Sequence, residues 1–167
     1  MKKSPVVNVA DAEFTRELMH GERFHARIAP ISSQIGAKRL GYNITAVPPG
    51  KRAFPFHNHH ANEEMFFILS GSGELRFGTN TYPVREGDVI GCPPGGPDVA
   101  HQLINTSADT ELRYLAVSTA IDTDIFQYPD SGKFGAVGGR HPGSTPLDAT
   151  FSGWFDESQR LDYWHKE

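Results

Sequence analysis

Cysteine is all but missing from this chain of 167 residues: Cys92 stands alone. A single thiol excludes an internal disulfide and fits a reducing compartment, so a cytoplasmic protein is expected. Positive charge is also scarce, with 16 Lys and Arg against 20 Asp and Glu and a formal net charge of −4. Without a basic footprint, nucleic acid is not an expected partner. No apolar run approaches membrane-spanning length, so a membrane is not an expected partner either. Lys2 and Lys3 are followed by no apolar segment of the kind a signal peptide needs. Repeats of solenoid type are absent. What the chain has in quantity is turn-formers, 17 Gly and 12 Pro, gathered at the ends of short apolar runs. That is the pattern of an all-β fold, and the length suits one domain with a proper core.

Taken in order, residues 1–10 read as a loose tail. The segment Asp11–His20 is expected to form a short helix, with Asp11 as N-cap, Phe14 and Leu18 on one side and Gly21 as the stop. Strands are expected over Phe24–Ile28, Tyr42–Val47, Glu64–Leu69, Glu74–Phe77, Thr81–Val84, Val89–Cys92, His101–Asn105 and Glu111–Ser118. Pro55 interrupts the register of Ala53–His59. From Gln127 to Thr150 the sequence is rich in Gly, Pro, Ser and Asp with no hydrophobic period. It is expected to be a long loop serving as a lid, a partner-binding arm or a disordered stretch. The aromatic tail from Phe151 to Trp164 is expected to pack on the body of the domain or on a neighbouring subunit.

The chemistry concentrates in two places. His57 and His59 are two residues apart, so in an extended segment both imidazoles point to one side. Glu64 heads the apolar run Met65–Leu69, where a carboxylate is costly unless a cation meets it. A third imidazole, His101, opens a short strand after a Pro/Gly corner. Three imidazoles and a carboxylate suit a divalent transition metal, and these four residues are taken as its ligands. His60 falls on the face opposite His59 and reads as surface. Cys92 reads as a small buried hydrophobe and Asn105 as a turn or barrel-end hydrogen bonder. Lys133, in D-S-G-K-F, lacks the spacing of a phosphate loop and reads as a solvated loop residue.

Both segments resemble the paired motifs of the cupin superfamily. The first runs Gly50, His57-Asn58-His59, four residues, Glu64, six residues, Gly71, and Glu64 rather than Glu63 keeps the spacing to Gly71. The second runs Gly87, five residues, Pro93-Pro94-Gly95, then His101, three residues and Asn105. The spacer from Gly50 to His57 is one residue longer than the common form, and the gap from Gly95 to His101 is three longer. The resemblance implies a double-stranded β-helix (jelly-roll) barrel, often a homodimer. His57, His59, Glu64 and His101 would hold Mn, Fe, Zn, Ni or Co. It also sets the expected organisation: an N-terminal extension over 1–30, the cupin barrel over 31–126, and a long loop and tail over 127–167. The whole pattern is similar to a bacterial single-cupin group often labelled sugar-phosphate isomerases.

Strand parity with Glu64 and His101 places Phe66, Ile68 and Leu103 in the barrel interior as the pocket lining. Met65, Phe67 and Ile104 would face outward, where a dimer partner or the aromatic tail is expected to cover them. Such a site would polarise a carbonyl, activate water or hold O₂ beside a chelated substrate. The first reading is an isomerase or lyase acting on a small hydroxy-carbonyl compound. If that substrate is phosphorylated, Lys51 and Arg52 are candidate contacts for the anion, with Arg76 and Arg113 behind them. The alternatives are an Fe- or Ni-dependent dioxygenase, separated by oxygen uptake, and a non-catalytic metal or small-ligand binding module.

Overall fold

The computed structural model describes residues 4–139 and 149–167. Thirteen strands make three antiparallel sheets among the described residues. The largest joins β1 (Arg16–His20), β2 (Phe24–Pro30), β3 (Leu40–Val47), β10 (Leu112–Thr119), β5 (Glu64–Ser70) and β8 (Val89–Cys92), in that spatial order. A three-stranded sheet holds β7 (Asn80–Arg85), β6 (Ser72–Phe77) and β9 (His101–Ile104). The third sheet runs β13 (Phe151–Asp156), β12 (Lys133–Gly138), β11 (Asp124–Tyr128) and β4 (Asn58–His59). This all-β jelly-roll meets the expected fold class. No helix among the described residues is long and apolar enough to cross a membrane.

The interior follows the period-two rule. Phe66, Ile68, Leu103, Leu112 and Tyr114 belong to one buried cluster with Cys92, between the faces of the six-stranded and three-stranded sheets. Removing a side chain such as Ile68 from water stabilises the fold by about 1.5–3 kcal/mol. Asn105 closes the end of the barrel as expected. Its Nδ2 donates to the carbonyls of Val47 and Thr110, each at 2.8 Å, and its Oδ1 accepts from the Ser107 amide.

The N-terminal segment departs from expectation. Arg16–His20 is a strand, and only Val9–Asp11 forms a turn of 3-10 helix. Gly21, at φ +54°, turns the chain so that β1 pairs with β2 along its whole length. The unpaired edge of β2 offers a ladder that a short isolated helix cannot match. Phe14 sits outside the strand. With Val7 and Ala12 it packs against the outer cluster of Ala29, Ile31 and Ile44, which also takes in Leu69 and Leu115. The chain's own beginning therefore covers the patch around Ala29, Ile31 and Ile44.

The expected loop over 127–150 is also corrected. The end of β11 and all of β12 occupy its first part, as a hairpin turning through Gly132 at φ +61°. Residues 140–148 lie outside the described residues, so the lid or arm reading of that stretch falls there. Beyond them the tail does pack, through β13 paired to β12, but Leu161, Tyr163 and Trp164 stay exposed on the single chain.

Candidate metal centre

The two motif segments meet through their backbones. The amide of His57 donates to the carbonyl of His101 at 3.2 Å, and the amide of His101 returns to His57 at 2.8 Å. Glu64 enters from the head of β5. Its Oε2 lies 3.0 Å from Nε2 of His101, 3.3 Å from Nε2 of His59 and 4.0 Å from Nε2 of His57. Donor atoms of His57, His59 and Glu64 all fall within 4.8 Å of one another. His101 lies outside that mutual radius and joins the group through the carboxylate and through its ring, 4.9 Å from that of His57. Longer spacing before His101 thus leaves it at the height of the site.

Each imidazole is held by its other nitrogen. Nδ1 of His57 meets the carbonyl of Pro55 at 2.8 Å, Nδ1 of His101 the carbonyl of Val99 at 3.3 Å, and Nδ1 of His59 the carboxylate of Asp124 at 2.7 Å. Outer partners of this kind fix the tautomer that presents Nε2 and its lone pair inward, as ligating histidines require. Asp124 is itself anchored: Asn62 donates to it at 2.7 Å, and the amides of Ala61 and Ile125 donate at 2.9 Å. Asn62 then accepts from the Thr119 hydroxyl and the Ile121 amide.

Among the protein groups alone, burial and then the neighbouring His101 push His57 down to about 4, which keeps it neutral. Burial opposes charge on His59 too, but Glu64 and Asp124 together raise it to about 9. Glu64 is held well below the carboxylate range, since His59 and His101 outweigh its burial. A pocket that keeps one carboxylate ionised among three imidazoles has the charge pattern of a divalent-cation site. Burial raises the Cys92 thiol, which argues against a thiolate ligand.

Phe66 packs on His101 with ring centroids 5.7 Å apart, and Ile68 and Leu103 belong to the same buried cluster. His60, just past the end of β4, is exposed and meets Gln127. Lys51 and Arg52 are engaged elsewhere: Lys51 Nζ donates to the Glu22 carbonyl at 2.7 Å, and Arg52 faces Gln102. Arg76 stacks on Phe56 and makes a double hydrogen bond to Asp130, and Arg113 lies over Phe14 on the outer face.

One wall of the site comes from β11, a strand not among those expected from the sequence. Asp124, Phe126 and Tyr128 alternate onto a single face. Asp124 bonds His59, Phe126 meets His59 edge-on at 4.8 Å, and Tyr128 stacks on His57 at 6.0 Å. The polar–apolar alternation of D-I-F-Q-Y was a usable signal, obscured by the Gly- and Pro-rich residues around it.

Comparison with known proteins agrees with this geometry. Residues 43–118 match the cupin domain family. A solved sugar phosphate isomerase of the cupin superfamily from Silicibacter pomeroyi superposes with a TM-score of 0.76, at 17% identity, over 96% of this chain and 98% of that one. A predicted oxalate decarboxylase from Thermotoga maritima gives 0.57 at 24% identity, over 70% of this chain and 99% of that one. An uncharacterised protein of Methanocaldococcus jannaschii is 28% identical over 121 residues, 70% of this chain and 84% of the relative. Residues 43–118 are therefore similar to the cupin domain family, and the fold of the chain is that of the solved cupin-superfamily structure.

Proposed function

We propose that the protein is a metalloenzyme in which His57, His59, Glu64 and His101 hold one divalent transition metal ion, drawn from Mn, Fe, Zn, Ni and Co. It acts on a small hydroxy-carbonyl compound in a reaction of the isomerase or lyase type, best described as sugar-phosphate-isomerase-like. The observation that carries this reading is the convergence of three Nε2 atoms on one oxygen of Glu64, while every Nδ1 is occupied from behind. The full-length likeness of fold to a sugar phosphate isomerase supports the reaction class. A bound divalent ion would polarise a substrate carbonyl or lower the pKa of a bound water. The chain's own residues orient the donors and, through Phe66 and Phe126, exclude water, which strengthens electrostatic effects at the site. The reading includes a homodimer, supported by Phe151, Phe155, Tyr163 and Trp164, which are exposed on the single chain.

Elemental analysis of protein purified without a histidine tag, followed by a screen of hydroxy-carbonyl compounds with that metal restored, tests the proposal. The expected result is a stoichiometric divalent ion and metal-dependent turnover without oxygen consumption. Oxygen uptake would make the protein a dioxygenase instead, and bound metal without turnover on any substrate would leave a binding module.

A further inference from the structure

The register of the four-stranded sheet extends the site outward along a row that no motif marks. Phe126 pairs with His59 across β11 and β4, so the next same-face position on each strand brings Tyr128 beside His57. Tyr128 in turn pairs with Lys133 on β12, and Lys133 with Asp156 on β13. Residues directly opposite one another share a face, so His57, Tyr128 and Lys133 stand side by side on the face that carries the imidazoles. The ring contacts agree. Tyr128 stacks on His57 with an interplanar angle of 22°, and the Lys133 ammonium lies 4.7 Å from the centroid of the Tyr128 ring.

The Tyr128 hydroxyl and the Lys133 ammonium each keep donor capacity toward this face. The Tyr128 hydroxyl accepts from Trp154 Nε1 at 3.3 Å, which leaves its own O–H to donate. Trp154 reaches it across Gly135, where a Cβ would come within 2.8 Å of that indole nitrogen. Lys133 forms no ion pair among the described residues. The carboxylate opposite it, Asp156, is turned to the amide and hydroxyl of Ser158. Lys51 is bound to the Glu22 carbonyl and Arg76 to the Asp130 carboxylate, and Arg113 lies over the Phe14 ring.

We infer that Lys133 and Tyr128 form the subsite for the anionic end of the substrate, a carboxylate or phosphate group carried a short carbon chain away from the carbonyl held at the imidazole cluster. This rests on the proposed function and narrows it to anionic hydroxy-carbonyl compounds. The ammonium and the phenolic O–H supply two charge-assisted hydrogen bonds to one group of oxygens.

Calorimetric titration of the tag-free full chain with inorganic phosphate and, separately, with acetate tests the inference. At least one anion is expected to bind saturably, and which one binds tells phosphate from carboxylate. Lys133→Ala is expected to weaken that binding about tenfold, the loss of one charge-assisted hydrogen bond. Tyr128→Phe should weaken it less, and Lys133→Arg should retain it. Metal content, measured in parallel, should be unchanged in all three, so that a loss of anion binding is not a loss of the metal centre. Failure of both anions to bind the parent, or equal affinity in Lys133→Ala, would overturn the subsite. A parent without metal would overturn the function while leaving the subsite to be read from the titration.

Discussion

The site is built from two regions that a sequence displays very differently. The segments 50–71 and 87–105 bring His57, His59, Glu64 and His101 at fixed spacings on strands whose apolar neighbours fill the barrel. The sheet of β4, β11, β12 and β13 supplies Asp124, Phe126, Tyr128 and Lys133, none of which has a diagnostic spacing. The first region determines which atoms converge. The second determines how they are held: the buried Asp124 fixes His59, and the aromatic wall shapes the way in. Chemistry of the donor set is thus written in residue types, whereas orientation is written in pairing.

The largest expected effect lies in the first region. Glu64→Ala removes the one anion common to all three imidazoles and is expected to lower metal affinity by more than about 100-fold, beyond the range of outer-partner losses. Competition against a chelator of known affinity measures it. Asp124→Asn tests whether the second region matters to the same property. Affinity should fall about 10–100-fold, with every direct donor still in place. Unchanged affinity would reduce Asp124 to a structural residue.

Acid–base behaviour sharpens the comparison. His59 must shed its proton to offer Nε2, and Glu64 and Asp124 raise it, against its burial, to about 9. Metal affinity should therefore climb as pH rises from the ordinary histidine range near 6.5 and level off above about 9. Without metal the sign reverses for stability. The raised His59 contributes stability that is fully present below 6.5 and is lost as pH rises through about 9. In Asp124→Asn the affinity should level off at lower pH, because one of the two carboxylates that raise His59 is gone.

Smaller effects belong to the outer strands. A Cβ at Gly135 would meet Trp154 Nε1 at 2.8 Å and Phe126 at 3.2 Å, so Gly135→Ala should cost about 1–3 kcal/mol in denaturant unfolding. Asp130→Asn removes one of the two hydrogen bonds and the charge that tie the β11–β12 turn to Arg76 of β6. Because that pair is largely exposed, the cost should stay below about 1 kcal/mol. Arg76 holds the Asp130 carboxyl below its usual range, so this small contribution is present above the ordinary carboxylate pKa and is lost as pH falls through the lowered one.

These contrasts explain what could be read in advance. The strands of the barrel and the cluster of His57, His59 and Glu64 are legible because alternation and spacing are local properties, as at Val89–Cys92, where expected and observed limits coincide. Arg16–His20 was misread as helix because its partner, β2, is what makes it a strand. Tyr128 has no spacing to mark it and Lys133 reads as a solvated loop residue, because the place of both depends on β11 lying beside β4, a long-range pairing that composition does not show. Packing of Val7, Ala12 and Phe14 on Ala29, Ile31 and Ile44 likewise depends on a long-range approach that the order of residues does not display.

The central claim is most directly tested by a crystal structure of the metal-loaded protein, with anomalous data collected at the absorption edge of its metal. A single peak is expected about 2.0–2.3 Å from Nε2 of His57, His59 and His101 and from a carboxylate oxygen of Glu64. A peak that left out any one of these four, or that met an imidazole through Nδ1, would contradict it.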